Sequence, residues 1–167
     1  MYSLILLAGL ATLPVIPAAL DFPDEILAAH NEERALAGTP PLKWDARLAA
    51  DARKWALHLS TLGELQHNTR SGQGENLSMG PAGRNSLRDL VGDWIGEKTI
   101  WRNGLFPYVV EETARRNGVP WEKVGHYSQL VWRTTTHLGC AMVTAKDWDY
   151  FVCRYTPPGN RRGEKAY

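Results

Sequence analysis

Apolar residues recur after position 45 at Leu48, Ala52, Trp55, Leu59 and Leu62. Steps of four, three, four and three trace one face of a helix. Asp45 precedes the pattern as a candidate N-cap. An earlier helix is expected over residues 24–37, with Pro23 and Asp24 as start signals and Gly38 as the stop. Thr39-Pro40-Pro41 then makes a rigid turn, and residues 63–85, rich in Gly, Ser, Asn and Pro, read as loop with a short strand near 75–78. A third helix begins at Ser86, with Asp89 three residues on, close to a capping box. Its apolar face carries Leu87, Leu90, Trp94 and Trp101, and Glu97 falls on that same face. A carboxylate there needs a partner, because desolvating it alone costs several kcal/mol.

Residues 107–117 read as another short helix, and His126–Trp132 as one or two helical turns. The pattern then changes. Over Leu138–Ala145 both alternating sets are apolar or small, as in a strand covered on both faces. Residues 146–149 form a turn, and Tyr150–Tyr155, aromatic and β-branched, pairs back antiparallel before Pro157-Pro158-Gly159. Helices first, strands later and a sheet buried on two sides predict an α/β fold, a three-layer α/β/α sandwich.

The first twenty residues stand apart. Tyr2 to Leu20 holds no charged side chain. The apolar run Leu4–Leu13 is too short to span a bilayer as a helix but suits the core of a signal peptide, with Ala18 and Ala19 near a cleavage site. The n-region lacks Lys and Arg, which leaves a short membrane anchor as the alternative; Pro14 and Pro17 favour a signal peptide over residues 1–19. Export places the chain outside the cell or in the periplasm, in an oxidising compartment where Cys140 and Cys153, either side of the 146–149 turn, pair as a disulfide.

Composition narrows the function. The chain has 167 residues, 44% of them hydrophobic, with 19 Lys plus Arg against 18 Asp plus Glu. That is one ordinary globular domain with no basic stripe for nucleic acid. There is no His-Glu-x-x-His helix, no Gly-x-Ser-x-Gly elbow and no phosphate-binding Gly-rich loop. What remains is a set of polar residues in unusual places: His67, Glu75, Glu97 and His126. Taken singly, each also reads as an ordinary loop, capping, paired or core residue.

Seven segments occur in an order that resembles the CAP superfamily, which comprises the cysteine-rich secretory proteins, the antigen 5 proteins and the plant pathogenesis-related proteins of group one. They are Ala-His-Asn-Glu-Glu-Arg at 29–34, Pro-Pro-Leu-Lys-Trp-Asp at 40–45, Gly-Glu-Asn-Leu at 74–77 and Trp-Ile-Gly-Glu at 94–97. The others are Gly-His-Tyr-Ser-Gln-Leu-Val-Trp at 125–132, Leu-Gly-Cys-Ala at 138–141 and Cys-Arg-Tyr-Thr-Pro-Pro-Gly-Asn at 153–160. The resemblance implies a CAP domain over residues 24–160, a C-terminal tail at 161–167 and a sandwich whose central sheet is mainly antiparallel. It also implies a cleft tetrad of His67, Glu75, Glu97 and His126, with His67 and His126 able to hold a divalent metal, zinc by preference.

The functional expectation is a secreted, non-catalytic binding protein. Its partner is an extracellular small molecule or a lipid- or sterol-like ligand, not nucleic acid or a membrane. The alternative is a zinc-dependent hydrolase or protease using the same four residues. A set built on Ser128 is weaker still, since residues two apart on a helix do not face each other. Residues 102–124 read as an elaboration beside the tetrad. Asn76-Leu77-Ser78 matches a glycosylation sequon, but Asn76 is already accounted for by its motif. His30, His58 and His137 fall outside the tetrad, and His30, with Asn31 and Arg34, is expected to tie down the first helix.

Overall fold

A computed structural model describes residues 21–167; the signal-peptide expectation for residues 1–19 lies outside them. The first helix, α1 (Phe22–Leu36), starts earlier than expected because Asp21 is its N-cap, accepting from the Asp24 amide at 3.0 Å. A two-residue strand, β1 (Lys43–Trp44), leads into α2 (Ala46–Leu62). Asp45 caps α2 as its sequence suggests, and Gly63 closes it in the left-handed conformation that glycine adopts freely. The buried face of α2 is Leu48, Ala52, Ala56 and Leu59. Trp55 and Leu62, expected in that stripe, lie at its edge, and Leu62 is exposed. Small Ala56 takes the central position because α2 packs tightly on the sheet.

The strand expected near 75–78 is longer, β2 (Gly74–Pro81). Helix α3 (Leu87–Gly96) carries the complete capping box between Ser86 and Asp89. It stops at Gly96, and Glu97 opens a single 3-10 turn, Glu97–Thr99. The helix anticipated over 107–117 shrinks to α4 (Glu112–Arg116), since Trp101 and Val110 form a β-bridge first. A 3-10 turn at Trp121–Lys123 precedes α5 (Gly125–Leu130). The chain finishes with β3 (His137–Ala145) and β4 (Trp148–Thr156), an antiparallel hairpin.

The sheet order is β1-β3-β4-β2, antiparallel except for the β1–β3 pair. Period-two alternation sends Tyr150 and Val152 toward Ala52, Ala56 and Leu59 of α2. Phe151, Cys153 and Tyr155 face the larger cluster that includes Ile26 of α1, Trp94 of α3 and Leu130 of α5. Three layers result, as predicted. Gly139 permits the contact on the α2 side: a Cβ there would lie 2.3 Å from the Ala49 amide nitrogen and 2.5 Å from the Asp45 carbonyl oxygen. Cys140 and Cys153 stand directly opposite on β3 and β4 and are disulfide-bonded.

Residues 161–167 pack back on the domain. The Phe106 amide donates to the Glu164 carbonyl at 2.8 Å and the Arg133 amide to the Ala166 carbonyl at 2.7 Å, while Ala166 is fully buried. Among the described residues no helix is long and apolar enough to cross a membrane.

Candidate functional site

The loop after α2 delivers His67, β2 delivers Glu75, the turn after α3 delivers Glu97, and α5 delivers His126. They form two pairs. His67 Nδ1 lies 2.6 Å from Glu75 Oε1, and His126 Nδ1 lies 2.6 Å from Glu97 Oε1. An ionised carboxylate only accepts, so each Nδ1–H donates and each Nε2 is left as the ring atom free to bind. Backbone amides complete the two carboxylates: Asn68 N–H donates to Glu75 Oε1 at 3.0 Å, and Tyr127 N–H to Glu97 Oε2 at 3.0 Å. Trp94 stacks on the His126 ring with centroids 5.7 Å apart. The Glu97 carboxylate that looked out of place on an apolar face has its partner here.

The pairs differ in one respect. Glu75 Oε2 is 2.7 Å from Arg154 Nη2, and both side chains are almost wholly buried. Arg154 arrives through strand register, directly across from Glu75 on β4. Burial lowers the Arg154 pKa, and Glu75, then Asp51, oppose that. Sequence reasoning passed over Arg154, although a lone cation within the apolar run Tyr150–Tyr155 was a usable signal.

His67, Glu75 and His126 line one cavity of about 350 Å³, with Asn68, Gln73, Asn76, Trp121, Glu122 and Asn160 among its other walls. Glu97 does not line it but stands behind His126. The 102–124 segment therefore does reach the cleft, through Trp121 and Glu122. The nearby aromatic residues do not line it: Trp94, Phe106 and Tyr127 are buried in the core, and Trp101 packs against it. Ser128 is fully buried away from the cavity. No group of three or more His, Cys, Asp or Glu among the described residues is arranged to hold a metal ion. Two imidazoles whose Nδ1–H groups rest on carboxylates reproduce the outer-shell pattern of histidine–zinc sites.

Neighbouring residues hold the frame. Asn76 Nδ2 donates to the His126 carbonyl at 3.1 Å and to the Tyr155 hydroxyl at 3.2 Å. Asn76 is thus 1% exposed and its amide is engaged, which accounts for the sequon as a packing motif. His30 Nδ1 donates to the Ile26 carbonyl at 2.8 Å, and its Nε2 accepts from the Tyr155 hydroxyl at 2.9 Å. Arg34, fully buried, donates to the carbonyls of Pro40, Leu130, Trp132 and Thr135. A Cβ at Gly74 would lie 2.3 Å from Gln129 Oε1, so a larger residue there requires the buried Gln129 side chain to shift.

Comparison with known proteins agrees with this frame. The family model described as CAP, cysteine-rich secretory protein family, matches residues 27–155. Pathogenesis-related protein 1 of Arabidopsis thaliana is 37% identical over 166 residues, covering 98% of this chain and 94% of the relative. Pathogenesis-related protein 1A of Nicotiana tabacum is 37% identical over 145 residues, covering 86% and 79%. Two solved structures share the fold. BmVAL-1 has a TM-score of 0.68 at 24% identity, covering 87% of this chain and 81% of that one. The crystal structure of NaASP2 with Zn2+ has a TM-score of 0.65 at 23% identity, covering 86% of this chain and 83% of that one.

Proposed function

Starting from a chain that belongs to the cysteine-rich secretory protein (CAP) family and is similar to plant pathogenesis-related proteins 1, we propose that it is an exported binding protein. Its cleft holds a divalent metal, zinc by preference, through Nε2 of His67 and His126, and does no chemistry on its ligand. One observation carries this reading: both tetrad carboxylates are committed to the Nδ1 atoms of the imidazoles. They orient ligands, as carboxylates behind metal-bound histidines do, and neither is left to serve as a general base. Two protein ligands give modest affinity, and the remaining coordination positions fall to water or to the bound molecule.

The bound molecule is small and polar, because Trp121 is the one apolar side chain among the cleft walls. A lipid- or sterol-like ligand has better support elsewhere. A separate open groove of about 350 Å³ is lined by Phe22, Ala49, Ala50, Cys140, Ala141 and Met142, with Arg53 at hand for a headgroup. The hydrolase alternative was expected to use the tetrad alone; with both tetrad carboxylates engaged by histidines, it needs another base, and Glu122 is the cleft carboxylate not paired with a histidine.

Calorimetric zinc titration of the wild type beside a His67→Ala, His126→Ala double variant tests the metal. Saturable binding lost in the double variant is expected; equal binding by both, or none by either, overturns it. Assay of zinc-loaded protein on peptide and ester panels tests the absence of chemistry, and turnover lost in Glu122→Gln would replace the binding reading with the hydrolase.

A further inference from the structure

A second cavity of about 270 Å³ adjoins the cleft and shares Asn68 and Gln73 with it. Arg154 and Trp55 form part of its far wall. The walls of the two cavities hold five buried polar atoms that have no hydrogen-bond partner among the described residues; one, Glu75 Oε2, is ion-paired with Arg154 Nη2 at 2.7 Å, and four are left unanswered. Two are acceptors, Gln73 Oε1 and Asn160 Oδ1; two are donors, Arg154 Nε and Nη1. Only Trp101 Nε1 and Ser128 Oγ share that condition away from the two cavities. An orphaned buried group costs about 1–3 kcal/mol, so their concentration along one groove points to a ligand.

We propose that the two cavities together form a groove for a neutral oligosaccharide, with Trp121 as the wall against which a sugar ring lies. The proposal deepens the reading of the cleft as a binding site and rests on it. The interleaving of donors and acceptors decides the chemistry. A hydroxyl both donates and accepts. An oxyanion offers only acceptors and leaves the Gln73 and Asn160 oxygens unanswered, and an ammonium offers only donors and leaves Arg154 unanswered. Charge does not select an anion either: Arg154 is paired with Glu75, and Lys54 lies 3.5 Å from Asp51.

Shape agrees with the hydrogen bonding. Asn68, Gln73 and Asn160 present flat amides with polar edges, and Trp121 presents an indole. A sugar ring matches that surface, with a C–H face for the indole and a rim of hydroxyls for the amides. Trp121 is held in place: Phe106 meets it edge-on at 4.8 Å, and the missing Cβ of Gly125 would sit 3.2 Å from its ring. A fixed platform loses little freedom when a ligand arrives. An extended peptide also alternates donors and acceptors, but the groove offers no apolar pocket for its side chains.

The test is calorimetric titration with cellotetraose, laminaritetraose, xylotetraose and chitotetraose, with tetra-alanine as the peptide probe, all in EDTA. At least one sugar is expected to saturate the wild type at submillimolar concentration. Trp121→Ala should weaken that binding about tenfold or more, and Trp121→Tyr should restore most of it. Should Trp121→Ala fail to fold, Gln73→Ser carries the same readout. Absence of saturation with all four sugars, equal binding by wild type and the variant, or tighter binding of tetra-alanine would each overturn the proposal. Because metal is excluded, sugar binding without zinc binding in the separate titration would remove the metal reading alone, and the reverse would remove the glycan alone.

Discussion

Glu75 on β2 and Arg154 on β4 are direct cross-strand neighbours, and their side chains meet at 2.7 Å with almost no exposure. The other Glu75 oxygen holds His67, so one buried ion pair anchors one half of the candidate site. Replacing a single partner of such a pair leaves an uncompensated charge. Arg154→Met is expected to lower unfolding free energy by about 3–5 kcal/mol. Urea denaturation checks this; a loss below the scatter of ordinary surface variants would show that the pair does not anchor the site.

Buried His30 answers to pH. Burial, the largest cause, pushes its pKa down from an ordinary 6.5 to about 4. Between those values the unfolded chain holds the extra proton and the folded chain does not. Its contribution is therefore complete above about pH 6.5 and is lost as pH falls toward 4, an interval worth about 3 kcal/mol. Unfolding measured at pH 7 and pH 4.5 should show a smaller fall in His30→Gln than in the wild type. Parallel pH dependences would remove His30 as the cause.

Glu97→Gln removes the charge and keeps an acceptor oxygen for only one of the two donors, His126 Nδ1 or the Tyr127 amide, leaving an NH2 toward the other. Zinc affinity should fall about tenfold or more, the usual effect of losing an outer-shell carboxylate, while the fold persists. Circular dichroism and zinc titration on the same sample separate the two. Unchanged affinity would mean that the carboxylate orients nothing.

The disulfide joins two strands that already pair. Denatured, unreduced protein should show no reactive thiol. Reduction should cost about 3 kcal/mol of stability in the chain-entropy picture for a loop of this size. Thiol titration and denaturation with and without reductant measure both, and two free thiols in the unreduced sample would contradict the bridge.

Local signals in the chain were strong where one element could satisfy them alone. Asp45 and Gly63 bracket α2, Ser86 with Asp89 opens α3, and the alternation of β4 is visible from Tyr150 onward. Helix length was less legible where tertiary contacts compete. The stretch 107–117 keeps only one helical turn or so at Glu112–Arg116, because the Trp101–Val110 bridge claims its beginning. The identity of the buried α2 residues depended on how closely the sheet approaches, which favoured Ala56 over Trp55.

The sequence by itself determined the three-layer fold and the family, and it marked the four polar residues that form the two His–Glu pairs, since periodicity, capping and ordered motifs are local properties of the chain. Only the tertiary structure decided how the four divide. His67 meets Glu75 eight residues away, while His126 meets Glu97 across 29 residues. Strand register alone brought Arg154 behind Glu75. Alternation along β2 sent Glu75 to Arg154 and His67, and its neighbour Asn76 to Tyr155 and the His126 carbonyl. Such pairings depend on distances between elements remote in sequence, and those distances exist only once the layers have packed.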